Sequence, residues 1–243
     1  IMYFRKAILI IHGFAGGTYD IEELANTLEY QHNFDVYTFT LPGHDKYTLT
    51  GVNKDMWIKS AEDHIQKLIN EGYKKIYLIG HSMGGVIACY LASKYKEVKK
   101  LILAAPAFQY LIFKNDKLKV IDSIKELPKV LKDYNNSDVI TRLIKVPIPT
   151  ITEFMNLIEE HYNDPSNVTV PVLIIYGKKD KLVPEGSVKH VYSTIKSNTK
   201  MLVYLNNCTH DIFRGPRKDE AISLSMHFLK NKYPSKYEKI IEK

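Results

Sequence analysis

The sequence predicts an α/β fold: a mostly parallel sheet of about six strands flanked by helices. Three observations predict it. Short apolar runs rich in β-branched residues recur at Ala7–Ile11, Asp35–Thr40, Lys75–Ile79, Lys100–Ala104, Val172–Tyr176 and Met201–Leu205. Most are continuously apolar rather than alternating, the mark of strands covered on both faces. Segments of helical period separate them, as crossovers between parallel strands require. Two of the runs also end directly in glycine-rich turns, as strands do where ligands approach their carboxyl ends.

Taken in order, Ala7–Ile11 runs into His12-Gly13-Phe14-Ala15-Gly16-Gly17. Asp20 is placed to cap a helix over Ile21–Leu28. Asp35–Thr40 leads into Leu41-Pro42-Gly43-His44, and a helix follows over Met56–Ile69. Its apolar stripe is Ile58, Ala61, Ile65, Leu68 and Ile69. Lys75–Ile79 ends in Gly80-His81-Ser82-Met83-Gly84-Gly85, and Val86–Tyr95 reads as the next helix. After Lys100–Ala104 the chain takes a path too long for a simple crossover, punctuated by Pro128, Pro147, Pro149 and Pro165. Within it Thr150 and Glu153 have capping-box spacing for a helix reaching Ile158. Glu185–Ile195 and Asp219–Leu229 are amphipathic helices, and the lysine-rich tail from Lys230 to Lys243 is expected as a solvated terminal helix.

Composition bounds the class. The chain has 243 residues, 45% apolar and 25% charged, which is ordinary for one large domain with a substantial core. No apolar run approaches the roughly 18 residues of a membrane span. The first strand begins within a few residues of Ile1, leaving little length for a signal peptide. The two cysteines, Cys89 and Cys208, have no metal-ligand spacing, and Cys89 is expected as a small buried side chain. Asn207-Cys208-Thr209 matches a glycosylation sequon, but a glycan there would obstruct the neighbouring His210. A cytoplasmic protein is expected from these features. The net charge of +7 is spread along the chain without an arginine stripe or an aromatic RNA-binding pattern, so no nucleic-acid partner is expected.

The chemistry concentrates at Gly80–Gly85. Gly-x-Ser-x-Gly between a strand and a helix is a nucleophile elbow, a turn so sharp that its serine projects from the sheet edge. The residues two before and two after the serine must be nearly free of side chain, and Gly80 and Gly84 meet that demand. His12–Gly17 has neither phosphate-loop spacing nor a dinucleotide fingerprint. Beside an elbow it reads as half of an oxyanion hole, with the Phe14 N–H as one donor. The Met83 N–H, at a helix start, is the other.

On His12-Gly13-Phe14-Ala15-Gly16, Leu41-Pro42-Gly43-His44 and Gly80-His81-Ser82-Met83-Gly84-Gly85, the chain resembles the α/β-hydrolase superfamily. Within it the likeness is to small bacterial carboxylesterases and monoacylglycerol lipases. The resemblance implies a single domain over 1–243 with a helical cap inserted at 106–165. It also implies the chain order serine, acid, histidine. Asp180 stands in Gly177-Lys178-Lys179-Asp180-Lys181-Leu182-Val183-Pro184, after a strand, where that acid belongs. Of the nine histidines, His210 alone follows the last apolar strand through a short polar loop, and it is the expected base. Asp211 reads as a helix cap. His12 is expected to brace its loop and His81 to pack, while the role of His44 is open. Phe108, Phe113, Phe154 and Ile158 are candidates for an acyl pocket, although apolar residues at helical spacing more often belong to a core.

The implied activity is hydrolysis of short- to medium-chain carboxylic esters through an acyl-enzyme on Ser82, with a small-molecule ester as partner and no metal or organic cofactor. Carbon–carbon hydrolysis, acyl transfer and non-catalytic ligand reception are the alternatives, since one fold hosts many functions.

Overall fold

The computed structural model of the chain describes residues 5–31, 33–45, 49–110, 113–114, 117–118 and 145–243. Among these residues, strands β1 (Lys6–Ile11), β2 (Phe34–Thr38), β3 (Ile76–His81) and β4 (Val98–Ala104) precede the expected cap. Two-residue strands β5 (Phe113–Lys114) and β6 (Lys117–Leu118) form a separate antiparallel pair within it. β7 (Val172–Gly177), β8 (Thr199–Leu205) and β9 (Tyr237–Glu242) complete the main sheet, whose order is β2-β1-β3-β4-β7-β8-β9. Every neighbouring pair in that sheet is parallel. All carboxyl ends therefore meet along one edge, which places the loops after β1, β3, β7 and β8 together.

Alternation along the strands explains the burial. Ala7, Leu9 and Ile11 join one core layer, and Ile8 and Ile10 join the other. The first layer is completed by α2 (Lys54–Asn70), α3 (Met83–Lys94), α4 (Ile148–His161) and α5 (Glu185–Thr194). The second is completed by α1 (Glu22–Tyr30) and α6 (Lys218–Lys230). A sheet buried on both faces needs apolar residues at both parities, hence the continuous runs. No helix among the described residues is long and apolar enough to cross a membrane.

Three expectations about local structure are corrected. The tail is not a terminal helix: Tyr237–Glu242 forms a seventh strand, parallel to β8. Its lysines and glutamates favour helix, but the open edge of β8 supplies backbone partners. Tyr237 N donates to Asn198 O at 2.8 Å and Lys243 N to Tyr204 O at 2.9 Å. Asp20 does not cap α1, whose N-cap is Ile21; it closes a short 3-10 turn and sends its carboxylate elsewhere. Thr150 and Glu153 do not form a capping box, because α4 starts at Ile148, after Pro147. The Thr150 hydroxyl donates to Leu49 O at 2.7 Å, and Glu153 accepts from Lys54 N at 3.0 Å. Both tie the α4 segment to the chain around the start of α2. Local spacing was right for a cap, and tertiary partners took the side chains instead.

One half-buried lysine braces the second layer. Lys100 Nζ donates to the carbonyls of Phe228, Leu229 and Asn231 at 2.8, 3.0 and 2.6 Å, where α6 ends. The rings of Tyr77, Phe228 and Tyr233 surround it at 5.5, 5.3 and 5.7 Å. A cation at a helix C-terminus satisfies orphan carbonyls and meets the negative end of the dipole. Lys100→Met strands those carbonyls and is expected to cost about 2–3 kcal/mol, given that charged hydrogen bonds each contribute about 1.5–3 and desolvation offsets part. Urea unfolding checks this, and an unchanged midpoint would show the carbonyls to be satisfied by water.

Candidate active site

Ser82 lies between β3 and α3 with φ 55° and ψ −119°, a conformation that few non-glycine residues adopt. The flanking glycines follow from close approach. A Cβ on Gly80 would fall 2.2 Å from Gly84 O, and one on Gly84 would fall 2.2 Å from Ile11 O. The turn is held by Ser82 N on Ala104 O at 2.9 Å and by Ala107 N on Ser82 O at 3.1 Å. Among the described residues, Ala15, Ala105 and Asn207 also have positive φ without being glycine. All four follow the carboxyl ends of strands β1, β3, β4 and β8. Backbone strain thus gathers on the edge where the sequence motifs stand.

The loop after β1 lies directly on this turn. A Cβ on Gly13 would sit 3.0 Å from the Cβ of Ser82. Among the described residues, the backbone N–H groups of Phe14 and Met83 have no hydrogen-bond acceptor. Two histidines brace the loop. His12 Nε2 accepts from Leu41 N at 3.0 Å, and its Nδ1–H donates to Gly13 O at 2.8 Å. Burial, then the neighbouring His44, pushes His12 down to about 3, so the neutral ring needed for that pair of bonds is assured. His44 Nε2 accepts from Ala15 N at 3.1 Å, which holds the loop at its strained residue. His12 therefore does what its position led us to expect. The role of His44 was unreadable because its partner is 29 residues away.

Asp180 and His210 meet across the loops after β7 and β8. His210 Nδ1 donates to Asp180 Oδ2 at 2.8 Å, with side chains 3% and 0% exposed. Asp180 Oδ1 accepts from Leu182 N at 2.8 Å and Val183 N at 2.9 Å, which fixes the carboxylate's rotation. Gly177 permits the approach: a Cβ there would lie 2.5 Å from the carbonyls of both Cys208 and Thr209. Burial alone would push the His210 imidazolium down. The Asp180 charge and hydrogen bond, then Asp211 and Asp20, outweigh it and hold His210 above the ordinary histidine value.

His81 connects the two halves. Its Nε2–H donates to His210 O at 2.8 Å, and the rings lie 4.9 Å apart. That bond fixes the Nε2–H tautomer, leaving a lone pair on Nδ1, which has no partner among the described residues. Burial, then His210, keeps His81 lowered, opposite to its neighbour. Asp211 caps no helix; its carbonyl accepts from Arg214 N and Gly215 N in a tight turn. Cys89 is buried as expected. Burial, then Asp180, pushes the Cys208 thiol up to about 12, so it holds its proton at neutral pH.

The pocket candidates divide. Phe154 is fully buried and stacks on Phe14 at 4.5 Å, so α4 presses on the loop after β1. Phe108 and Ile158 are fully buried in the first core layer. The side chain of Phe113 lies outside the described residues.

Comparison with known proteins agrees with this architecture. A family model described as serine aminopeptidase, S33, matches residues 4–217. The chain is similar to a carboxylesterase of Bacillus subtilis (strain 168), 23% identical over 235 residues and covering 88% of each chain. It is also similar to a thermostable monoacylglycerol lipase of Bacillus sp. (strain H-257), 23% identical over 206 residues, covering 84% of this chain and 82% of that one. The crystal structure of a monoacylglycerol lipase from Paleococcus ferrophilus shares the fold, with a TM-score of 0.71, 19% identity and coverage of 92% and 93%. A parallel sheet with a strained Gly-x-Ser-x-Gly turn at its carboxyl edge, matched over that length, means that the chain belongs to the serine aminopeptidase S33 family of α/β hydrolases.

Proposed function

We propose that the chain is a serine carboxylesterase, acting on short- to medium-chain carboxylic esters, monoacylglycerols among them, through an acyl-enzyme on Ser82. The observation that carries this reading is the buried 2.8 Å pair of His210 and Asp180, joined through the His210 carbonyl to His81, the residue before a serine in a strained elbow. The ester class is supported by the relatives named carboxylesterase and monoacylglycerol lipase.

The chemistry follows from the hydrogen bonds. With Nδ1–H committed to Asp180, His210 keeps a lone pair on Nε2. That nitrogen takes the Ser82 proton as Oγ bonds to the ester carbonyl carbon, and the carbonyl oxygen becomes an oxyanion. The N–H groups of Phe14 and Met83 receive it, aided by the positive end of α3. Collapse breaks the bond to the alcohol, which leaves with the proton from His210. Water then gives its proton to the same nitrogen, attacks the acyl carbon and releases the acid, restoring Ser82. Of the described part of the expected cap, Phe154, stacked on Phe14, shapes the acyl side of this centre. The two free, buried thiols fit a reducing compartment, and we place the enzyme in the cytoplasm.

Two outcomes test the reading. Turnover of p-nitrophenyl esters from acetate to palmitate is expected to peak at a short or medium chain. Cleavage of aminoacyl p-nitroanilides without ester turnover would replace it with a peptidase. The base must be neutral to act, and His210 titrates above the ordinary histidine value. Activity is therefore expected to fall on acidification at a higher pH than an unperturbed histidine would give. A kcat/KM profile flat through the histidine range would remove His210 from the role.

A further inference from the structure

Phe14 and His210 sit on loops far apart in sequence, yet the proposed reaction needs both at fixed distances from one carbonyl. An ion pair that the mechanism does not use spans those loops. Asp20 is 5% exposed, and its Oδ1 accepts from Arg214 Nη1 at 2.8 Å. Its Oδ2 accepts from Gly17 N at 3.1 Å, and a Cβ on Gly16 would fall 2.2 Å from that oxygen. The glycine loop thus closes directly onto the carboxylate. On the other side, Arg214 lies over the Tyr19 ring at 5.1 Å, and its backbone turns tightly back to the histidine. Arg214 N donates to Asp211 O, and Ile212 N donates to His210 O at 2.8 Å. A short hydrogen-bonded path therefore runs from His210 to Arg214, across to Asp20, and into the loop of Phe14.

An ion pair with one partner buried and the other more than a third exposed adds little net stability. Its location says more than its energy. The charge of Asp20 acts on His210, His81 and His12 together.

We propose that Asp20 and Arg214 are positioning residues: their ion pair clasps the oxyanion loop to the histidine turn, and the partly neutralised carboxylate sets part of the field at His210. This rests on the esterase reading of Ser82 and His210. The groups facing His210 are Asp180 from the loop after β7, Asp211 from its own turn, Asp20 from the loop after β1, and neutral His81 from the end of β3. Arg214 is the cation paired with Asp20.

The signature is a pair of opposite shifts. Asp20→Asn removes a negative charge and lowers the His210 titration midpoint. Arg214→Gln leaves the Asp20 charge unopposed and raises it. We read the midpoints from the His210 ring signals by NMR in the full chain, which requires no ester turnover. In parallel, kcat for p-nitrophenyl butyrate is expected to fall about tenfold in each variant while KM moves less than about twofold, as loss of alignment predicts. Arg214→Lys should restore part of kcat. Midpoints unmoved in both variants, or a lowered melting temperature with kcat intact, would reduce the pair to a structural contact. If Asp20→Asn fails to fold, the shift in Arg214→Gln and the rescue by lysine decide alone. A wild-type enzyme inactive on esters would instead strike the esterase reading, separately from the shifts.

Discussion

Ser82→Ala is expected to lower ester turnover by about 10⁴–10⁶-fold while leaving the fold intact, because the acyl-enzyme route is lost and only binding and the oxyanion donors survive. Alanine fits the turn as serine does, since its Cβ fills the same space and the strain at φ 55° is unchanged in kind. The Ser82 backbone also keeps its bonds to Ala104 O and from Ala107 N. Melting temperature should therefore stay near that of the wild type, which separates lost chemistry from lost structure. Steady-state hydrolysis of p-nitrophenyl butyrate, with circular dichroism as the folding control, measures both. Wild-type turnover persisting in the alanine variant would mean that the elbow serine is not the nucleophile.

Asp180→Asn is the second large effect, and the hydrogen bonds specify its cause. In the native site Oδ1 holds the N–H groups of Leu182 and Val183, and Oδ2 accepts from His210. An asparagine must keep its oxygen on those two backbone donors, because its amide nitrogen cannot accept from them. That choice turns Nδ2–H₂ toward His210 Nδ1, which must then accept. The ring proton moves to Nε2, the nitrogen that should receive the proton of Ser82. A wrong tautomer in an otherwise intact site is expected to lower kcat by about 10³–10⁴-fold. KM should change little, since no group that touches the acyl chain has moved. Rate measurements against pH test the cause: some activity should return at high pH, where the serine loses its proton without help. A variant with near-native kcat would show that another acid, Asp211 being nearest in sequence, orients the ring.

Both predictions depend on features that differ in how they can be read. Gly80 and Gly84 are legible because the sharp turn around Ser82 demands them, and a Cβ on Gly80 would meet Gly84 four residues on. The collision of Gly177 with the Cys208 and Thr209 carbonyls is not, because it comes from a distant loop. The residues proposed as acid and base, Asp180 and His210, were read from chain order and their places after strands, and the structure pairs them. The seventh strand was not, because Tyr237–Glu242 carries a helix-favouring share of lysine and glutamate and is partnered only by the open edge of β8. The polar side chains fared worst. Asp20, Thr150 and Glu153 had good local roles, yet each found a partner on another element.

The sequence by itself determined the layered architecture, the elbow and the identity of the three residues proposed to carry the reaction. Apolar periodicity and glycine placement act over a few residues, so they can be read without coordinates. Only the tertiary structure decided which loops touch: His12 on Leu41, His81 on the His210 carbonyl, and Asp20 on Arg214, 194 residues further along the chain. Parallel strands bring their carboxyl ends to one edge whatever their separation in sequence. A buried donor or acceptor must then pair with whatever that edge presents, and the spacing of residues along the chain carries no record of it.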